Sequence, residues 1–275
     1  MKCIKYIFLG TIFGVVFGVS YLGENQADMI FLNDVVLKLS FNEFILCKSN
    51  AAYYDKIFLY LVPMLIFQLL SGTEIYSHFC TGSIYYFSRC TNKKVWTIKE
   101  SAKVAVYSFI NTTAILLSFL FVNNIAGKEI VFSFGAICVA GYYILIFSLW
   151  NLFFSITINV LSLEFKSHFS FSIASGLEVL FSLIYVALQD VLYKVYDHEE
   201  LAVTLIKLNP FSMLFIQWHS SKISSINELI DIFDISFDIN KTIIILLVMV
   251  SIAELLCIRM IQKTDLLSSN KESEE

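Results

Sequence analysis

Two carboxylates lie inside otherwise apolar stretches of the chain. Glu178 belongs to the apolar run 172–188 and Glu254 to the run 242–260. A carboxylate within a membrane span is expensive to desolvate, so each one suggests a function such as part of a substrate cavity or a proton site. The alternative is that each side chain turns towards the membrane interface or bonds to a neighbouring helix, and the sequence leaves both interpretations open. Each lies about six residues from one end of its run, which predicts a depth of about 9 Å in the bilayer.

Asn111 is a further polar group within an apolar run, 104–122. Asparagine in such a run is typical of a hydrogen bond between helices. Together with Glu178 and Glu254, Asn111 also marks a possible substrate path.

The sequence contains no recognisable catalytic motif. The patterns G-x-x-x-x-G-K-[ST], H-E-x-x-H and G-x-S-x-G are all absent. His78, Cys80 and Cys90 have the wrong spacing for a standard metal-ligand set. We therefore expect a protein that is not itself an enzyme and that holds neither a metal nor a cofactor in this chain.

The composition is that of a membrane protein. Of 275 residues, 57% are apolar and only 15% are charged, and the mean hydropathy is +0.74. Soluble domains contain nearer a quarter of charged residues, so a water-soluble globule is close to excluded. The net charge is −4 and there is no basic tract, which argues against nucleic acid as a partner.

Six apolar runs must position these polar groups, since a helix needs about 20 apolar residues to cross a hydrocarbon core of about 30 Å. The runs are 7–22, 57–72, 104–122, 130–162, 172–188 and 242–260. We therefore predict an all-α polytopic membrane protein with six transmembrane helices in one domain over 1–267. The fourth run is too long for one crossing, so we expect it to project into water or to break near Gly135 or Gly141.

The distribution of Lys and Arg predicts the orientation. If both termini are cytoplasmic, most of the 19 cations lie on the inner side, although the outer segments are much longer. This orientation gives outer segments over 23–56 and 189–241 and an inner segment over 73–103. The polar tail 268–275 has no apolar periodicity, so we predict that it is disordered.

The outer segments contain apolar residues of their own. In 23–56 these residues recur at roughly helical spacing, which predicts either amphipathic helices on the outer face or a small subdomain that caps the ends of the spans. In 189–241 an apolar stretch begins at Leu208-Asn209-Pro210-Phe211 and continues to Trp218. This stretch is too short to span, so we expect it to enter the interface or to re-enter between the spans.

Gly10, Gly14 and Gly18 form a doubled G-x-x-x-G pattern in the first run. Glycines at this spacing share one face of a helix and allow another helix to approach closely. We predict a helix-packing role for all three, with a partner in the same chain or in another one.

The inner segment combines apolar residues with cations. Its stretch 88–94 has the composition of an exposed turn. One interpretation is a basic loop beside the membrane that contacts anionic lipid. The other is a docking helix for a cytoplasmic partner.

At this point the chain resembles permease subunits of type-2 ATP-binding-cassette exporters, particularly small bacterial ones associated with bacteriocin or lantibiotic immunity and peptide-antibiotic efflux. The resemblance covers nearly the whole chain through its six-span layout. Its short motifs are Tyr86-Phe87-Ser88-Arg89, Lys93-Lys94 and Trp96 in the inner segment, Asn209-Pro210 before the last span, and Lys263-Thr264-Asp265-Leu266 after it. The long outer segment 23–56 is a departure, because the simplest members have a shorter one.

The resemblance implies that the chain exports a peptide or hydrophobic substrate across the bacterial cytoplasmic membrane. A separate cytoplasmic ATPase would bind ATP and Mg, which fits the missing P-loop, and a second permease, identical or homologous, would complete the transporter. Arg89, Lys93, Lys94 and Trp96 would then belong to the element that couples the permease to the ATPase.

A different class of membrane protein is the rival hypothesis. A secondary transporter, or a six-span accessory or sensor protein, would act without an ATPase. Secondary transporters often contain internal repeats with interrupted helices at matching positions. The two halves of this sequence show no convincing repeat, which argues modestly against that hypothesis.

Overall fold

The computed structural model describes residues 2–41, 50–87, 92–191, 204, 207–231 and 237–263. The predicted tail 268–275 therefore lies outside the described residues. In chain order the elements are α1 Lys2–Glu24, β1 Met29–Phe31, α2 Leu32–Leu39, α3 Asn50–Ser71, α4 Glu74–Phe87, α5 Lys93–Ile125, β2 Glu129–Val131, α6 Phe134–Ser162, α7 Ser167–Val191, two short 3-10 helices at Pro210–Leu214 and Ile216–Trp218, β3 His219–Ser220, α8 Ser224–Ile230, β4 Phe237–Asp238 and α9 Ile239–Lys263.

The protein is an all-α polytopic membrane protein, as predicted. Within the described part of the chain, six helical stretches are long and apolar enough to cross a membrane. They are Lys2–Glu24, Ile57–Thr81, Lys93–Ile125, Phe134–Ser162, Ser167–Ile184 and Ile239–Lys263. The second stretch continues from α3 into the first half of α4.

The spans alternate in direction, so each end of the bundle collects three helix starts and three helix ends. We call the end with Lys2, α4, the start of α5 and Lys263 the basic end. The other end, with β1, α2 and β2, is the capped end. Of the six spans, α6 has the largest buried share and packs on α3, α5, α7 and α9, so it is the central helix.

The fourth apolar run is divided between a strand and a helix. Its first residues form β2, which pairs in parallel with β1 in the register Met29↔Glu129. The helix then begins at Phe134, because the Ser133 side chain accepts a hydrogen bond from the main-chain nitrogen of Ala136 at 3.1 Å. The helix continues through Gly141 without a break, so the interruption falls just before Gly135.

The short helix α2 packs on the ends of the spans. Its apolar side chains, including Val35 and Val36, are fully buried and join the main core beside α6. Phe41, just beyond α2, has a positive φ of 68° and is fully buried. Its ring contacts those of Tyr60 and Phe215, and these aromatic contacts hold the unfavourable backbone conformation in place. This part of 23–56 therefore has the packing of a cap rather than that of an isolated amphipathic helix.

Candidate functional site

The predicted inner segment consists largely of two helices. The helix α4 follows α3 after a short turn, and α5 begins at Lys93. Asn92 caps α5, since its side chain accepts a hydrogen bond from the main-chain nitrogen of Val95 at 3.2 Å. Lys93 and Lys94 therefore lie in the first turn of a helix rather than in an exposed turn. Arg89 lies outside the described residues.

The three described residues of the predicted coupling element do not share one face of α5. Lys94 is exposed to solvent, whereas Lys93 and Trp96 are half-buried. The ammonium group of Lys93 lies 6.0 Å from the ring centre of Phe79 in α4, and the Trp96 ring lies 6.2 Å from the same ring. Lys93 also donates a hydrogen bond to the main-chain oxygen of Ile261 in α9. Lys94 thus faces outwards, while Lys93 and Trp96 join α4, α5 and α9.

An apolar cluster connects α4 to three spans at the basic end. We call it the basic-end cluster, and its buried members are Ile75, Phe79, Val104, Leu152, Ile156, Ala253, Cys257 and Ile261. They belong to α4, α5, α6 and α9. Because close-packed interiors transmit strain, the cluster connects α4 mechanically to α5, α6 and α9.

Polar contacts also bind α1 to α4. The Tyr6 hydroxyl donates a hydrogen bond of 2.9 Å to Glu74, and the ammonium group of Lys5 lies 3.8 Å from the same carboxylate. The ammonium group of Lys2 lies 2.6 Å from Nε2 of His78. Side chains in the first two turns of α1 therefore hold this helix to α4.

Glu100 extends this polar contact to α5. Its carboxylate lies 2.9 Å from Nδ1 of His78 and 2.5 Å from the ammonium group of Lys103. The residue is buried. The contact between Glu100 and His78 was not predicted from the sequence, because the two residues are 22 positions apart and no local pattern connects them.

The glycine pattern of α1 faces α5 of the same chain. A Cβ atom on Gly10 would lie 2.5 Å from the main-chain oxygen of Asn111, and one on Gly14 would overlap that of Ile115. A Cβ atom on Gly18 would lie 3.0 Å from Cβ of Val122. The two helices approach so closely that side chains at Gly10 and Gly14 would collide with the α5 backbone.

Glu178 lies deep inside the bundle. It is fully buried, eleven residues after the start of α7, which corresponds to about 16 Å along the helix. Glu178 therefore lies deeper than the depth of about 9 Å predicted from the sequence, because α7 begins at Ser167 and the apolar run begins only at Ser172. The indole nitrogen of Trp150 donates a hydrogen bond of 2.6 Å to Oε1 of Glu178. The amide of Gln68 lies beside the same carboxyl group.

Glu254 has a different environment. It is half-buried on α9, beside Ser101 of α5, and no hydrogen bond of normal geometry joins the two side chains. The two intramembrane carboxyl groups therefore have separate neighbours. Glu178 contacts α3 and α6, whereas Glu254 faces α5.

Asn111 lines a small cavity at mid-height in the bundle. The cavity also borders Pro63 of α3 and Asn151 of α6. Asn111 is 1% exposed, and its Oδ1 atom has no hydrogen-bond partner among the described residues. Gln68 donates a long hydrogen bond of 3.4 Å to Asn151, so a polar connection leads from this cavity towards Glu178. The structure does not bring Asn111 into contact with Glu254.

A metal site is not found in the described part of the chain, where no three His, Cys, Asp or Glu side chains are grouped suitably. His78 and Cys80 are described, whereas Cys90 is not.

Comparisons of the chain with protein-family models, curated proteins and solved structures give no match. The fold alone therefore defines the class, which is that of an α-helical protein embedded in a membrane.

Proposed function

We propose that this chain is the membrane subunit of an ATP-binding-cassette exporter whose ATPase is a separate cytoplasmic chain. The observation that carries the proposal is the arrangement at the basic end. There α4 and the start of α5 form a helical pair that is packed against α6 and α9. This pair fits an element that receives force from outside the membrane.

The chemistry of the pair supports a docking role. Lys94 is exposed in the first turn of α5, and Lys99 is exposed one to two turns further along the same helix. Exposed cations on a rigid helix end provide an electrostatic guide for an acidic surface of a partner, and such contacts act mainly on association rate and specificity. Lys93 and Trp96 face the bundle instead, where both contact α4 and Lys93 also contacts α9.

Force on the pair would reach the bundle through the basic-end cluster. ATP binding to the partner would displace α4, and the packed side chains would carry this displacement to α5, α6 and α9. Access to a path between this permease and a second, identical or homologous one would then change. Such coupling requires that the ATPase contacts differ in free energy between the two states of the bundle.

The proposed cargo is a peptide or another hydrophobic molecule, and the proposed membrane is the bacterial cytoplasmic membrane. ATP and Mg would be bound by the partner. The sequence contains no P-loop, which agrees with ATP hydrolysis on a separate chain.

Charge reversal at the basic end tests the docking step. The variant Arg89→Glu with Lys94→Glu should reach the membrane in normal amounts but lose the ATPase on purification. Lys222→Glu with Lys241→Glu is the matched control, since both residues are exposed at the capped end and the charge change is equal. Equal ATPase recovery with both variants and the wild type, or recovery of no P-loop protein with the wild type, would remove the proposal.

A further inference from the structure

Glu178 is buried, and no charged partner lies beside it among the described residues. The described elements that pack most closely on α7 are α3, α6 and the 3-10 helix Pro210–Leu214. Neither α6 nor this 3-10 helix contains an Asp, Glu, Lys, Arg or His residue. The charged residues of α3 are Asp55 and Lys56, and Lys56 is twelve positions from Gln68, about 18 Å along the helix. The other titratable groups of α6 are Cys138, Tyr142 and Tyr143, which lie about two turns or more from Trp150.

The hydrogen bonds of the Glu178 carboxyl group are incomplete. Trp150 donates to Oε1, but Oε2 is fully buried and has no partner within the described ranges. Gln68 beside it is also fully buried, and its Oε1 atom likewise lacks a donor. One carboxyl oxygen of Glu178 and the amide oxygen of Gln68 are therefore both buried without a donor among the described residues.

An ionised carboxylate in such a place is energetically prohibitive. Without a cation or several donors, burial of the charge in an apolar medium costs far more than the stability of a typical protein. A proton on the carboxyl group removes the charge and at the same time adds the missing donor. The Gln68 amide can accept that hydrogen bond when its oxygen faces the carboxyl group, since the two orientations of an amide occupy the same heavy-atom positions. The Asn151 amide, turned in the same way, then donates to Gln68 in place of the long bond that it accepts in the observed orientation.

We propose that Glu178 is a proton-binding site in the membrane interior, with the proton on Oε2 and a hydrogen bond from it to Gln68. Trp150 fixes the other oxygen. The site is independent of the proposed ATPase partner, because it is built from α3, α6 and α7 of one chain.

The site makes the position of α7 sensitive to the proton. When Glu178 is neutral, α7 packs against α3 and α6 as observed. Loss of the proton would leave an unpaired charge inside the bundle, and α7 would have to move towards water or admit a cation. Proton occupancy and helix position are therefore linked, since each state of the bundle binds the proton with a different free energy.

Infrared spectroscopy of the full-length protein in lipid vesicles at neutral pH tests the proposal. A protonated carboxylic acid has a carbonyl band at higher frequency than a carboxylate, and this band shifts in deuterium oxide. Subtracting the spectrum of Glu178→Gln from that of the wild type should show the loss of one such band. Glu254→Gln, a substitution of the same type on α9, should leave that band in place. Loss of carboxylate intensity alone in Glu178→Gln would overturn the proposal.

A second variant covers the case in which Glu178→Gln does not fold. Gln68→Leu retains Glu178 but removes the proposed acceptor. The carbonyl band of Glu178 should then move to higher frequency, because its hydrogen bond is weakened. A spectrum with no change in the protonated-acid region would contradict the proposed site.

Discussion

Lys93 at the start of α5 donates a hydrogen bond of 3.2 Å to the main-chain oxygen of Ile261 near the end of α9, 168 positions later in the sequence. This contact joins the third span to the sixth at the basic end. It lies beside Phe79, whose ring faces both Lys93 and Trp96. The proposed docking helices are therefore attached to the last span as well as to their neighbours in sequence.

The basic-end cluster should make a large contribution to stability. Phe79 is fully buried within it, so Phe79→Ala should lower the free energy of unfolding by about 3–5 kcal/mol. Phe109→Ala is the matched control, because Phe109 is 52% exposed on the membrane-facing side of α5 and should have little effect. Thermal unfolding of the two purified variants in the same detergent makes the comparison. Similar melting temperatures for both would show that the cluster does not hold α4 in place.

The contact between α1 and α5 leaves no room for a side chain at Gly14. Gly14→Ala should destabilise the protein by about 1–3 kcal/mol, since the new methyl group would overlap the main-chain oxygen of Ile115. Gly176→Ala on α7 is the control, because nothing lies within 4 Å of its Cβ position. Urea or heat unfolding in detergent should separate the two variants. A stable Gly14→Ala protein would mean that α1 does not pack on α5 as described.

Acid should weaken the capped end through His219. Burial lowers the pKa of His219 to about 4, although main-chain contacts at Phe215 and Ile216 and the charge of Asp238 act in the opposite direction. The side chain is fully buried, and its Nε2 atom lies 3.0 Å from the Thr242 hydroxyl.

The sign of the pH effect follows from this lowered pKa. An unfolded histidine titrates near about 6.5, so between about pH 6.5 and 4 the unfolded state binds more protons and stability falls as the pH falls. From pH 7 to pH 5 the loss should be about 2 kcal/mol. The melting temperature of His219→Gln should depend less on pH over this interval, whereas that of His168→Gln, at an exposed position, should follow the wild type. Equal pH dependence in all three proteins would contradict the buried neutral state of His219.

The sequence predicted the spans because long apolar runs have few alternatives to a membrane helix. It also predicted the close approach at Gly10 and Gly14, although only the structure identifies α5 as the partner. The strand β2 was missed because two of its three residues, Ile130 and Val131, are apolar and continue directly into the run of α6.

The neighbours of Glu178 could not be predicted from the sequence. An acidic residue in an apolar run is visible in a sequence, but its donor Trp150 is 28 positions away on another helix. The capping of the bundle by α2 and Phe41 also depends on tertiary contacts. A left-handed φ at a phenylalanine has no sequence signature, since it exists only because neighbouring rings enforce it.

Photo-crosslinking from position 94 tests the central claim most directly. A photoreactive amino acid in place of Lys94, activated in intact cells, should form an adduct with a cytoplasmic protein that contains a P-loop. The same amino acid in place of Lys222, exposed at the capped end, should form no such adduct. If position 94 yields only lipid adducts, or if a cysteine placed there is labelled from outside the cell, the chain is not coupled to an ATPase through its basic end.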